Sequence, residues 1–174
     1  MAMGIDRSIL VKTSISLEPL AVAKTLAKII EKENPDLVLL GKQAIDDDSN
    51  QTGQILSALL NWPQGCFISE LKIEDKKLFI SREIDEGIEK LETSIPAVLT
   101  CDLRLNTPRF ASLPNIMKAK KKPLDVIEID TLGIDIESKI KVLNVVEPPK
   151  REAGIMVNDV KELVQKLKYE AKVI

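Results

Sequence analysis

The chain has 174 residues, 44% of them apolar, and its 25 basic and 27 acidic side chains leave a formal net charge of −2. That size and balance predict one soluble globular domain with a full core; no apolar run approaches the ~20 residues of a membrane-spanning helix, and no secretory signal is visible. The chain has no histidine, so the usual general base near neutral pH and the commonest metal ligand are missing, and Ser-His-Asp and Cys-His catalysis are excluded within it.

Met1-Ala-Met-Gly4 reads as the end of a helix with Gly4 as its stop, so the chain is expected to begin in mid-fold, with a strand over 8–11. Residues 19–33 put Leu20, Ala23, Leu26, Ala27 and Ile30 on one face of an amphipathic helix. Pro19 sits in its tolerated first turn, and Asn34-Pro35 ends it. Asp36-Leu-Val-Leu-Leu40 then reads as a buried strand, because four consecutive aliphatic residues are too many for a half-exposed one. Residues 50–60 read as a helix that Asp48, Ser49 or Asn50 could cap. Strand, helix, strand, loop and helix in that order predict an α/β fold: a parallel sheet with helices on its faces.

Asn61-Trp-Pro-Gln-Gly65 predicts a turn, with Trp62 as a packing residue beside Pro63. Residues 67–73 and 77–83 predict a β-hairpin around Glu74-Asp-Lys76. Residues 87–93 continue the meander, and residues 95–100 form another buried strand. From Cys101 to Pro123 three prolines and mixed polar and apolar residues predict an ordered loop leading into a short helix over 114–121. Residues 142–155, with Pro148-Pro149 and Gly154, have the composition of an extended connector. A last amphipathic helix over 157–169 presents Val160, Leu163, Val164 and Leu167 and is expected to dock away from the main body, on another subunit.

The segment from Gly41 to Gln54 (GKQAIDDDSNQTGQ) lies where a strand hands over to a helix. First-turn amides, unpaired within the helix, and the positive end of the helix dipole favour an anion there. The spacing is not that of a Walker motif, since Lys42 is followed by Gln43. Two readings stand side by side, a nucleotide loop in which Gly53 lets backbone approach a ligand and an ordinary capped helix. Asp46, Asp47 and Asp48 would repel a phosphate unless they cap amides or bind a ribose. Alternatively they hold magnesium in a nucleotide hydrolase, or the domain senses nucleotides. Lys118, Lys120, Lys121 and Lys122 form a basic cluster, readable from the residues as a solvated face or a nucleic-acid patch. With only one tyrosine and three phenylalanines, the stacking platforms of a single-strand binder are missing. Cys66 and Cys101 lack CxxC spacing and read as reduced, partly buried thiols.

GKQAIDDDSNQTGQ, followed in order by NWPQG, REIDEGIE, PAVLTCDLRLNTPRFASLPNIMKAKKKP and EPPKREAG, closely resembles the beta subunit of electron transfer flavoproteins over nearly the whole chain. The family carries an N-terminal portion of roughly 80 residues that this chain lacks, including the first strand of the sheet and part of the nucleotide pocket. The resemblance implies a Rossmann-like sheet of the adenine-nucleotide-binding, universal-stress-protein-like kind, over residues 1–145. Residues 146–174 would form a C-terminal connector and helix docking on the FAD domain of the alpha subunit.

Carried over by motif, Gly41, Lys42, Gln43, Ala44, Ile45, Asp46, Asp47, Asp48, Ser49, Asn50, Gln51 and Thr52 would surround a structural AMP, while the redox FAD is held mainly by the alpha subunit. The loop 101–123 would be the recognition loop for acyl-CoA and related dehydrogenases, with Leu113 as anchor beside Pro114, Asn115, Ile116, Met117, Lys118 and Lys121. Arg82 and Glu83 would orient the FAD domain, Glu83 meeting an arginine there; otherwise they form an exposed strand-end ion pair. The implied function is an electron carrier passing electrons towards a membrane quinone oxidoreductase. No catalytic residue, metal or nucleic acid belongs to that reading, nor is the chain embedded in a membrane. Its compartment would be the mitochondrial matrix or, alternatively, the bacterial cytoplasm.

Overall fold

A computed structural model describes residues 1–151 and 153–174. They form two compact units, Met1–Lys139 and Ile140–Ile174. In the first, β1 (Ser8–Lys12), α1 (Pro19–Glu33), β2 (Leu37–Gly41) and α2 (Thr52–Leu60) alternate. There follow β3 (Gln64–Glu74), β4 (Lys77–Ile84), β5 (Gly87–Ser94), β6 (Ala97–Cys101), α3 (Leu113–Ala119) and β7 (Leu124–Glu128), then a 3₁₀ turn at Ile129–Leu132. The architecture is the predicted mixed α/β, Rossmann-like class, with parallel pairs flanked by helices.

The sheet is divided rather than single. Five strands run in the order β2-β6-β3-β4-β5, and β1 pairs separately with β7. β6 runs parallel to β2 on one side and to the start of β3 on the other, whereas β3, β4 and β5 are antiparallel. β6 reads Ala-Val-Leu-Thr-Cys with its first four residues buried, as a central strand covered on both faces requires. Its two faces feed two cores. Ala97 and Leu99 pack with Ile68, Leu78 and Ile80; Val98 packs with Ala23, Ile30 and Leu56 of the helices. That alternation is the period-2 geometry of a strand.

Several local expectations are corrected. Met1–Gly4 is a turn closed by the Gly4 amide on the Met1 carbonyl at 3.3 Å, not a helix end, although Gly4 keeps the positive φ of 114° that such a stop requires. α1 buries Ala21 and Thr25 with Ala23 and Ile30, while Leu20 is exposed; the Thr25 hydroxyl donates to the Ala21 carbonyl at 2.8 Å, satisfying itself inside the helix. β3 starts at Gln64, inside the segment read as a turn, because it first pairs with β6 before bulging at Phe67 (φ 59°) and joining β4. Trp62 packs half-buried against the helix-side core, as a packing residue should. β7 went unread, since Leu-Asp-Val-Ile-Glu is short, mostly exposed, and acquires its strand only by pairing with β1.

In the second unit the terminal helix is shorter than its periodicity suggests: α4 covers Val160–Gln165 and passes into a π turn at Lys166–Glu170. Its start is set by a reciprocal cap. The Glu162 amide donates to Asp159 Oδ1 at 2.8 Å, and the Asn158 amide donates to Glu162 Oε2 at 2.9 Å. Residues 140–151 and 153–158 carry no helix or strand, in keeping with a connector composition.

Candidate nucleotide cradle and partner surface

β2 ends at Gly41 and α2 begins at Thr52; the loop between them is closed by its own acids. The Asp47 amide donates to Asp46 Oδ1 at 2.9 Å, and the Ser49 amide to Asp47 Oδ1 at 3.3 Å. Asp48 receives the Gln43 side-chain amide at 2.5 Å. The carboxylates thus accept hydrogen bonds within the loop, which lessens without removing the repulsion an anion there would meet. Among the described residues no group of three or more His, Cys, Asp and Glu is placed to hold a metal ion. Asp48 and Asn50 take left-handed backbone (φ 54° and 52°), a conformation Asx residues tolerate.

None of Asp48, Ser49 or Asn50 caps the helix. The N-cap is Gln51, with no side-chain hydrogen bond to the first turn, and Asn50 Oδ1 accepts instead from the Gln54 side chain at 3.3 Å. The first-turn amides of α2 are thus left without a side-chain cap, facing a cavity of about 130 Å³. Gly41, Lys42, Gln43, Ala44, Asp47, Ser49, Asn50, Gln51, Thr52 and Gly53 line it. Ile45, Asp46 and Asp48 do not, and Ile45 is fully exposed. This volume suits one moiety of a nucleotide, since a whole small ligand takes about 300 Å³ or more. The donor set is right for phosphate or ribose: uncapped amides, hydroxyls and carboxamides. Gln54 Oε1 is in addition a buried acceptor with no partner among the described residues.

Gly53 has a packing reason beside the one expected. A Cβ there would meet Thr100 Cγ2 at 2.3 Å, so the residue must be small where α2 lies on β6, whether or not a ligand approaches its backbone. Gly41 would meet nothing within 4 Å.

Asp102, just beyond β6, was not singled out by its sequence context. Its side chain is 2% exposed and holds two cations, Lys42 Nζ on Oδ2 at 2.5 Å and Arg104 Nε on Oδ1 at 2.8 Å. The Arg104 amide adds a third bond at 3.0 Å. These bonds, Arg104 first and then Lys42, hold the Asp102 carboxyl well below the usual carboxylate range, and Asp102 and Glu83 together push Arg104 up. A depressed carboxyl stabilises the fold fully above its unfolded pKa, and that contribution is lost as pH falls through the folded value. The stability gap between the parent and Asp102→Asn should therefore be full at pH 7 and shrink as pH drops below about 4. Urea unfolding at a series of pH values measures it, and a gap constant from pH 7 to pH 3 would contradict the assignment.

Arg82 and Glu83 do not pair with each other, because adjacent strand residues point to opposite faces. Arg82 Nε binds Glu89 Oε2 at 2.5 Å across the β4–β5 ladder, and Glu83 pairs with Arg104. Burial raises the thiol pKa of both Cys66 and Cys101, and both thiols are free.

α3 starts at Leu113, capped by Ser112, whose Oγ accepts from the Asn115 amide at 3.4 Å, with Pro114 in its first turn. Leu113, Ile116 and Met117 fall at i, i+3 and i+4 and are all exposed, Leu113 by 72%. Lys118, Lys120 and Lys121 are also exposed. Lys122 is not part of that free cluster, because its Nζ donates to the Met1 and Ile5 carbonyls. Phe110, 98% exposed in the loop before α3, is a further apolar side chain the sequence reading passed over.

Residues 1–132 match the model of the electron transfer flavoprotein domain, and the chain belongs to that family of electron carriers, which are not enzymes in their own right. It is 55% identical over 174 residues to the electron transfer flavoprotein subunit beta of Bradyrhizobium diazoefficiens, covering all of this chain and 70% of that one. It is 53% identical over 176 residues to the Arabidopsis thaliana protein named electron transfer flavoprotein subunit beta, mitochondrial, with the same coverage. The human subunit beta is 55% identical over 172 residues, 97% of this chain and 68% of the relative. The resemblance seen in the sequence is thus to the right family and subunit. Among the described residues no helix is long and apolar enough to cross a membrane.

Proposed function

We propose that the chain serves as the AMP-holding, partner-binding beta subunit of a heterodimeric electron transfer flavoprotein. The observation that carries the AMP assignment is the uncapped start of α2 opening on a cavity lined by residues 41–44, 47 and 49–53, with Asp46 and Asp48 outside that lining and Asp47 Oδ1 accepting the Ser49 amide. The phosphate lies against the Thr52 and Gly53 amides, and the Ser49 and Asn50 side chains serve the ribose. No bond is made or broken there, so the nucleotide is structural.

The FAD belongs mainly to the alpha subunit, on whose FAD domain residues 146–174 dock. Their exposed Val160, Leu163 and Val164 supply the apolar contact. Glu83 biases that domain by meeting a cation on it. Leu113, Pro114, Asn115, Ile116 and Met117 with Lys118 and Lys121 receive acyl-CoA and related dehydrogenases, from which electrons pass through the flavin towards a membrane quinone oxidoreductase. The site of action is the mitochondrial matrix, with the bacterial cytoplasm as the alternative that the Bradyrhizobium relative supports.

Co-expression with an alpha subunit of the same family tests the whole assignment. The expected product is a heterodimer with a flavin spectrum that releases about one AMP per heterodimer on denaturation. A complex carrying flavin but no AMP would sink the nucleotide role, and failure to associate would sink the subunit role.

A further inference from the structure

Lys42, Asp102, Arg104 and Glu83 form a chain of contacts alternating in sign, from the cavity rim to the end of β4. Three of these side chains are substantially exposed, at 31%, 48% and 52% for Lys42, Arg104 and Glu83; only Asp102 is buried. Backbone contacts fix it in place. Its amide donates to the Ile68 carbonyl at 2.9 Å, its carbonyl accepts from Leu105 at 3.1 Å, and the Lys42 amide donates to the Cys101 carbonyl at 3.1 Å. A buried carboxylate must keep its partners, because an unpaired charge there is strongly destabilising. Asp102 divides its two oxygens between two partly exposed cations, one of which lines the cavity while the other does not.

We propose that Asp102 is a positioning residue linking occupation of the cradle to the hold on Glu83, an inference that rests on the nucleotide reading above. A phosphate in the cavity draws the Lys42 ammonium and weakens its bond to Asp102 Oδ2. Asp102 cannot move out to water, so it takes a larger share of Arg104. Arg104 serves two acids, and its hold on Glu83 falls accordingly, leaving Glu83 available to a cation from outside the unit. Linkage runs equally in both directions, so whatever strengthens the Arg104 contact to Asp102 also favours anion binding.

The test is a double-mutant cycle on AMP affinity with the full chain, using Lys42→Gln, Arg104→Gln and both together. Arg104 does not line the cavity, and in Arg104→Gln the Lys42 ammonium still holds Asp102. The double variant strips the buried carboxylate of both cations, so urea midpoints are taken for every protein. If that variant is unfolded, Asp102→Asn with Arg104→Gln replaces it, where Arg104→Gln is again expected to have no further effect. In the parent, Arg104→Gln leaves Asp102 to Lys42 alone, and AMP should bind about fivefold more weakly. In the Lys42→Gln background the same change should have no further effect, and Arg104→Lys should restore most of the affinity. An Arg104→Gln effect that persists undiminished without Lys42 is a through-space field and overturns the linkage, as does no effect in either background. A parent chain that binds no AMP overturns the nucleotide reading and the linkage together.

Discussion

Leu113→Ala is expected to slow the reduction of the reconstituted flavoprotein by a dehydrogenase about tenfold or more at sub-saturating concentration, while AMP content and subunit assembly stay unchanged. Leu113 is the first residue of α3, and its 72% exposure means that its apolar surface is not used inside the unit. Filling a partner pocket with it would contribute about 1.5–3 kcal/mol, or roughly one to two powers of ten in affinity. Ile116 and Met117 extend the same stripe, and the exposed Lys118, Lys120 and Lys121 would steer an acidic partner without supplying much of the bound-state energy. The change should fall on KM, and the salt dependence should stay with the lysines. Steady-state transfer kinetics at two ionic strengths separate these terms; unaltered KM in the variant removes Leu113 from the interface.

Gly53→Ala should destabilise the fold by about 1–3 kcal/mol through overpacking. The added methyl would sit 2.3 Å from Thr100 Cγ2, closer than any Cβ contact allows, so α2 must lift from β6. Thr100 cannot simply rotate. Its Oγ1 accepts the Phe67 amide at 3.0 Å, the bond that satisfies the β3 bulge. Thr100→Ser removes the clashing methyl and keeps the hydroxyl, so the double variant should recover most of the loss although Thr100→Ser alone costs a little as a cavity. Urea midpoints of the four proteins give the result. Additive losses would show that the glycine answers to something other than Thr100.

Helix α1 at Pro19–Glu33 and the existence of strand β2 were legible because their signals are local: Pro in the first turn, Asn34-Pro35 after the end, an unbroken aliphatic run. The full burial expected of β2 was not, since β2 is the edge of its sheet and Leu39 is 55% exposed. The cradle segment was legible as a strand-to-helix junction for the same reason. The roles of individual residues within it were not. Asp46 and Asp47 serve the loop's own amides, Asn50 turns to Gln54, and the small size of Gly53 is dictated by a strand more than forty positions downstream. Asp102 reads in sequence as one polar residue opening a loop; only the parallel pairing of β2 with β6 brings Lys42 to it. The division of the sheet was hidden too, since β1 shows its strand character locally but its partner β7 lies at the far end of the unit.

That pairing has a consequence for how the chain closes. The meander forms over two-residue turns, at Asp75-Lys76 and Asp85-Glu86, whereas Ser8 meets Leu124 only after nearly the whole unit has been traversed. Closure entropy rises as about (3/2)RT ln n with loop length n, so the β1–β7 joint is the costliest contact to make and has few neighbours to share the cost. α3 hangs directly on that joint, fastened to the first turn by Lys122. The exposed Leu113 stripe is therefore secured by the two ends of the fold meeting, and its order depends on the contact with the longest reach.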